Sequence, residues 1–393
     1  MSKIELPAKI NLGELESLNR KLFAGFEIDS DFVVPVDIKA KGPSIIPSII
    51  LHLFIWLRFS EGGKLVIKED TNQNKKIKDF AESFLGYCIL SSSWKHKEII
   101  DVNENSIKKE LRESTQSLHT RIDFLQNLPN NKVLIPLFDH YSKPQGLSHW
   151  FYNSEFEFAP SPEELSTSIY RIMEELGKIF KTKISNSLSE VIEALQIIIW
   201  ELMKNTHDHA IKDYLNNTDL SPNIRGVYLD IHRSSKKNFL LEHAANSGLK
   251  NYLNEVLFEG ENFLLEISVF DSGPGMVKRY LGEKWTKDLT PNDEVLAIKN
   301  CLCKGITSVD GIKGENKGYG LDSVLKTLSQ MQGYLKIRTG NISIYRDLLK
   351  SPYYETLESS RIDLQDAATN SPSEFSSAGD SIGTIISMFF PLK

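Results

Sequence analysis

The chain has 393 residues, 40% of them hydrophobic and 25% charged, which suits two or three soluble domains, each large enough for its own core. A formal net charge of −6 argues against a dedicated nucleic-acid or anionic-membrane binder. Three cysteines, Cys88, Cys301 and Cys303, exclude a disulfide framework, and Cys301-Leu-Cys303 has the wrong spacing for a zinc half-site, so a reducing cytoplasm is the expected compartment.

The N-terminus lacks the shape of a signal peptide. A short strand and a helix with Leu12, Leu15, Leu18 and Leu22 at helical spacing are expected in residues 1–30. A β-rich run follows at Asp31–Ile38. The most apolar stretch, Ile45–Phe59, is shorter than the ~18 residues of a membrane span and contains Pro47, His52 and Arg58, so a buried helix is expected. A strand at Lys64–Lys68, helices over 79–90 and 104–127, and a strand at Lys132–Phe138 complete a small α/β module over residues 1–150. Its order of elements loosely resembles the STAS-like interaction domains of bacterial regulators; an unrelated α/β sensor or scaffold domain fits the same pattern.

Residues 151–164, with Pro160-Ser-Pro162, read as a linker. A helix from Glu163 to about Phe180 is expected next, and Ser187-Leu-Ser-Glu190 has the spacing of a capping box that would open a second, longer helix. That helix carries Val191, Leu195, Ile198, Ile199 and Leu202 on its core face. Strands are expected at Gly226–Arg233 and Phe263–Phe270, with a helical insertion at about 234–260 between them. The pattern of Asn292–Leu302 is helical, a hairpin turns at Gly340-Asn341, and the last strand is Gly383–Pro391. Residues 355–381 are polar and Ser-rich without an apolar period, and read as a mobile surface loop.

Three stretches carry chemistry. Glu201, Asn205 and Asp208 recur at i, i+4 and i+7 and so share one helix face. The carboxylate can take a proton from an attacking water, and the carboxamide oxygen can ligate a hard cation such as Mg²⁺; a solvated helix face is the bland alternative. Asp271-Ser-Gly273-Pro-Gly275-Met276 follows a strand, where an aspartate can accept a hydrogen bond from an exocyclic amine and glycines let a ligand approach the backbone. The connection over 276–317 ends in a Gly- and Lys-rich segment that could cover a ligand as a lid. It leads to Lys317-Gly318-Tyr319-Gly320-Leu321, where free N–H groups at a helix start would form an anion site. There is no Walker-type phosphate loop.

Together these residues resemble the GHKL ATPase superfamily, which includes gyrase, heat-shock chaperone, histidine kinase and mismatch-repair ATPases. The resemblance covers residues 165–393. It implies a two-layer α/β sandwich of the Bergerat type, with a mixed sheet on one side and helices on the other, preceded by the small α/β domain. Glu201 then corresponds to the general base and Asn205 to the magnesium ligand. Asp271 would bind the adenine amine, with Gly273 and Gly275 in the first glycine box. Gly318 and Gly320 would cradle phosphates at the end of the lid, and the Thr384 hydroxyl would join a water network around the aspartate. Asp208, Met276, Lys317, Tyr319 and Leu321, beside these motifs, are expected to line the nucleotide. The second glycine box departs from the pattern, with Gly314 four residues before Gly318, and insertions at about 234–260 and 350–380 exceed the minimal domain.

The resemblance implies ATP and Mg²⁺ as cofactors and a protein partner, a homodimer being one arrangement open to it; no feature indicates nucleic acid or membrane. An ATP-hydrolysing conformational switch is the expected activity. A serine/threonine kinase of the anti-sigma-factor type, a histidine kinase and a non-hydrolysing ATP-gated module are the alternatives. His119 is the candidate phosphoacceptor, but Thr120 and Arg121 follow it where an acidic residue is usual. His207 and His209 lie two apart, do not share a helix face, and suit packing better than metal binding.

Overall fold

Four short runs, Lys3–Glu5, Asp31–Pro35, Leu65–Lys68 and Ile99–Ile100, pair in chain order as a parallel sheet. Parallel neighbours need crossovers, and helices Leu12–Ala24, Ile45–Phe59, Asn74–Ala81 and Phe84–Ser93 lie in those connections. The computed structural model describes residues 3–24, 30–40, 42–69, 74–129, 132–303 and 320–392. The expected strand–helix alternation of the first module is therefore present. So is its buried apolar helix: Ile45–Phe59 buries 11 residues around its whole circumference. A helix apolar all round must be covered on all sides, and Trp56 Nε1 donates to Ser30 O at 2.8 Å on the small-sheet side. Among the described residues no helix is long and apolar enough to cross a membrane.

The second sheet has seven strands in the order Gln365–Asp366, Ile342–Asp347, Tyr334–Thr339, Thr384–Leu392, Glu261–Asp271, Ile224–Ser235, Lys132–Phe138. Every neighbouring pair is antiparallel, which corrects the expected mixed sheet. Its connections are hairpins and returns, such as the two-residue turn at Gly340-Asn341, and none demands a parallel pair.

Strand residues alternate between faces. On the front lie helices Ser166–Gly177, Lys181–His209 and Gly320–Gln330, with Phe180 edge-on to Phe263 at 5.3 Å. The back is also covered, so the expected two-layer arrangement gains a third layer. There the first module's helix docks through Ser44, whose N–H donates to Glu266 Oε1 at 2.7 Å and whose hydroxyl donates to Ser387 Oγ at 2.7 Å. Helices Lys236–Glu242 and Ser247–Val256 of the expected insertion bury Phe239, Leu249 and Tyr252 against Leu264, Tyr334 and Phe389.

Three further expectations change. The strand Lys132–Phe138, read as part of residues 1–150, is the edge of the second sheet, and Phe151 and Tyr152 of the expected linker are buried; the first module and the second sheet share one core. The long helix starts at Lys181, so Ser187 and Glu190 lie inside it and cap nothing. Within 355–381, Ile362 and Leu364 are buried and the Asp366 carboxylate accepts from Ala368 N, Thr369 N and Ser376 N. That segment is organised by a side-chain-to-backbone turn, which leaves no period in the sequence.

Arg225, with no exposed surface, meets Asp139 through Nη2–Oδ1 at 2.6 Å and Nε–Oδ2 at 2.9 Å. Removing one partner of such a pair strands a buried charge. Asp139→Asn is expected to lower unfolding stability by about 3–5 kcal/mol, whereas Arg225→Met with Asp139→Asn should recover much of it; urea titration of both variants checks this.

Candidate functional site

The helix Lys181–His209 presents Glu201 and Asn205 one turn apart on the side facing the start of helix Gly320–Gln330. The approach is close: a methyl group placed on Gly320 would lie 2.5 Å from Glu201 Oε2 and 3.8 Å from Asn205 Nδ2. The carboxylate thus lies beside the N-terminal end of a second helix, where the backbone dipole favours negative charge. Burial raises the Glu201 pKa, and the ammonium of Lys204 works against that rise. The raised pKa brings the group nearer to a neutral operating pH. Asn205 Nδ2 is buried and has no hydrogen-bond partner among the described residues. Asp208, on the same face, accepts from Lys204 Nζ at 2.7 Å.

Asp271 ends strand Glu261–Asp271 on the front face, in register with Thr384 on one side and Arg225 on the other. Its Oδ1 accepts from Gly273 N at 2.8 Å. Burial pushes its pKa up to about 7, opposed by the N–H groups of Gly273 and Thr384 and by Arg225 and Arg58. Gly273 sits against the end of the long helix: a Cβ there would fall 2.7 Å from Ala210 Cα. Gly275 has φ +87°, a conformation that favours glycine, and turns the chain into helix Met276–Leu281. So the helix face, the aspartate turn and Gly320 all meet one helix, over its last three turns.

The sequence reading missed Thr339. Its hydroxyl accepts from Met276 N at 3.0 Å, donates to Gly383 O at 3.1 Å and lies 3.1 Å from Thr384 Oγ1. The Thr384 hydroxyl is thereby placed on Thr339, while its backbone N–H is what reaches Asp271. Thr339 ends an ordinary strand pattern, and nothing in its neighbours marked it.

Arg58 was also missed as a site residue, although a lone cation closing an apolar helix was a signal. Its Nε donates to Pro222 O at 2.9 Å, its Nη2 to Asn223 Oδ1 at 2.8 Å and Ser272 Oγ at 3.1 Å, and its Nη1 to Ser272 O. Asn223 in turn donates to Asp139 Oδ2 at 2.7 Å and to Ala210 O at 3.1 Å. Arg225 Nη1 donates to the Tyr152 hydroxyl at 3.1 Å, which lies 2.9 Å from His207 Nδ1. His207 stacks on Phe158, the packing role expected of it. His119 has Nδ1 2.8 Å from the Tyr87 hydroxyl and Nε2 3.4 Å from Asp123 Oδ2.

Leu321 is half-buried against the core. Lys317, Gly318, Tyr319 and the expected lid over 304–317 lie outside the described residues. No group of three or more His, Cys, Asp or Glu side chains suited to a metal occurs among the described residues. Asn205 fits the different requirement of Mg²⁺, which commonly takes one or two protein oxygens and completes its shell with waters and phosphates. Its amide lies one helical turn from the Glu201 carboxylate and faces the same glycine; Oδ1 is the atom that could ligate the ion, whereas the orphaned Nδ2 is a donor and can meet only an acceptor. Comparison with protein-family models, with curated proteins and with solved structures found no match.

The Asp271 carboxyl makes a signed prediction. Its folded pKa, about 7, lies above the ordinary aspartate value of 3.8, so the folded state holds the proton more tightly and loses stability as pH rises between those values. Asp271→Asn keeps the acceptor for Gly273 N and removes the titration. It is expected to raise the melting temperature above pH 7, with the gain shrinking towards pH 4; melting curves across that range check it.

Proposed function

We propose that the chain binds Mg-ATP against the C-terminal end of helix Lys181–His209 and hydrolyses it as a conformational switch of the GHKL type. The observation that carries this reading is the convergence of Glu201 and Asn205 on the start of helix Gly320–Gln330, with the Asp271 turn held against Ala210 at the end of helix Lys181–His209. In this reading a carboxylate, a carboxamide and a helix N-terminus serve one end of the ligand and a buried hydrogen-bond acceptor serves the other. A triphosphate suits the helix N-terminus, and an exocyclic amine suits Asp271.

In this reading Asp271 accepts from the adenine amine, and Gly273 and Gly275 let the base lie close to the backbone. Asn205 would hold Mg²⁺, which would neutralise phosphate charge. Glu201 takes the proton from the attacking water; its raised pKa, caused by burial, strengthens it as a base. Met276, held by Thr339, and Leu321 flank the nucleotide, with Gly320 on the phosphate side.

The output runs through Arg58, whose guanidinium joins the first module to Ser272, the residue after Asp271. A change at Asp271 on nucleotide binding is therefore felt at the C-terminal end of helix Ile45–Phe59. A protein partner read by the first module, in the cytoplasm, is the corresponding role.

Purified protein is expected to release phosphate from ATP only with magnesium. Glu201→Ala should bind ATP with turnover reduced about 10²–10⁴-fold, and Asp271→Asn should fail to bind. If γ-label is transferred to protein instead of appearing as phosphate, the base serves a hydroxyl acceptor and the chain is a kinase. If wild type binds no ATP, the reading fails. Gly320→Ala gives a finer check. Alanine favours helix by about 1 kcal/mol over glycine, but its methyl displaces the Glu201 carboxylate; turnover should fall while the fold is retained by circular dichroism.

A further inference from the structure

A cleft lies towards the end of the long helix opposite to Glu201. It holds about 390 Å³ and opens between the N-terminal part of helix Lys181–His209, the ends of helices Ser247–Val256 and Gly320–Gln330, and the end of strand Thr384–Leu392. That volume suits a small-molecule ligand. Glu190, on its wall, precedes Glu201 by 11 residues, about 16 Å along a helix axis, so the cleft is separate from the site described above. Part of its lining is apolar: Phe390 is buried, and Val191, Val256 and Met331 are half-buried.

The charge of the lining has one sign. Among the described residues that line the cleft, the charged side chains are Glu190 and Glu255, one from each of two helices. Helix Ser247–Val256 ends there through Glu255 and Val256, and helix Gly320–Gln330 through Gln330. A helix C-terminus carries partial negative charge, which Lys, Arg or His in the last turn commonly offsets. Neither of these helices has a basic residue in its last turn. Lys350 Nζ meets Glu255 Oε1 at 2.7 Å in an exposed pair, and the Asp347 carboxylate acts on both. Glu190, Glu255 and Asp347 thus stand against Lys350, and two negative helix ends add to the excess.

We infer that this cleft is a binding site for a small organic cation with an apolar body, an aryl- or alkylamine. Its charged head lies towards Glu190 and the two helix ends, and its body covers Val191, Val256, Met331 and Phe390. An anion of the same shape would enter negative potential and be rejected, and a neutral molecule would gain the apolar contact alone. Because the carboxylates are exposed, their charge contributes selectivity and the apolar lining contributes most of the affinity. None of these side chains belongs to the site around Glu201 and Asp271, so the inference does not depend on the nucleotide reading.

The test is calorimetric titration of the full chain with benzylamine, benzyl alcohol and benzoate, which share one ring and differ in charge. Benzylamine is expected to bind at one site with a dissociation constant on the order of 1 mM, benzyl alcohol more weakly, and benzoate not at all. Glu190→Gln should weaken benzylamine roughly 2–5-fold and leave benzyl alcohol unchanged. Val191→Trp, which fills the cleft, should abolish both. Glu190 is exposed, so its variant should melt as wild type does, and lost binding is separated from lost fold. Asp271→Asn should bind benzylamine as wild type does. The inference is overturned if benzylamine does not bind, if benzyl alcohol or benzoate binds as tightly, or if Glu190→Gln keeps the wild-type affinity. It is equally overturned if Val191→Trp, folded by circular dichroism, still binds.

Discussion

The interaction on which the rest of the molecule depends is the buried pair of Arg225 and Asp139, with Asn223 attached to it. An arginine with no exposed surface stays charged, and in the interior it must be met by a carboxylate and by hydrogen bonds at each remaining donor. Asp139 sits at the end of strand Lys132–Phe138, so pairing ties that edge strand to the sheet. Tyr152 takes a third donor of Arg225, which draws the segment after Phe138 over the end of the long helix. Asn223 completes the set by bonding Asp139, Ala210, Ser272 and Arg58. One polar cluster thereby fixes the helix end, the aspartate turn and the first module to each other.

A second constraint comes from the back of the sheet. Alternation along the central strands places Asp230, His232, Glu266, Ser268 and Ser387 there, together with Lys336, all but His232 deeply buried. Such a face cannot be covered by a plain apolar layer without leaving charges unsatisfied. The first module supplies Ser44 at the start of its central helix, and Lys132 reaches Asp230 from the edge strand at 2.7 Å. This explains why the two parts of the chain share one core. The first module is the lid on a polar sheet face, and its own central helix is apolar because it is enclosed between two sheets.

On the front the cost is concentrated. Burial raises the pKa of both Glu201 and Asp271, and Asn205 keeps an unpaired amide nitrogen. Groups held this way lower the stability of the empty protein, and sites of chemistry are where such costs are tolerated. The glycines around them serve proximity. Gly273 allows the aspartate turn to touch Ala210, and Gly320 allows a helix start to touch Glu201.

The sequence by itself determined most elements and which side chains share a face within each of them. Helical and strand periods placed the apolar helix at 45–59, the strands before Asp271 and after Gly383, and Glu201 with Asn205 on one face, because side-chain period is a local property of the backbone. Motif chemistry singled out Gly273 and Gly320, and both lie against the C-terminal part of the long helix, at Ala210 and at Glu201 respectively. Only the tertiary structure decided what depends on partners distant in the chain. Lys132–Phe138 reads the same in either sheet until Ile224–Ser235 is there to pair with it. Ser187 with Glu190 matches a cap locally, yet the helix continues through it because its N-terminal turns pack against the sheet at Phe180 and Ile184. Thr339, Asn223 and Arg58 carry no motif; each gains its role from hydrogen bonds to residues between 13 and 214 positions away. Burial sets the pKa of Asp271, and no pattern along the chain states how much water reaches a side chain.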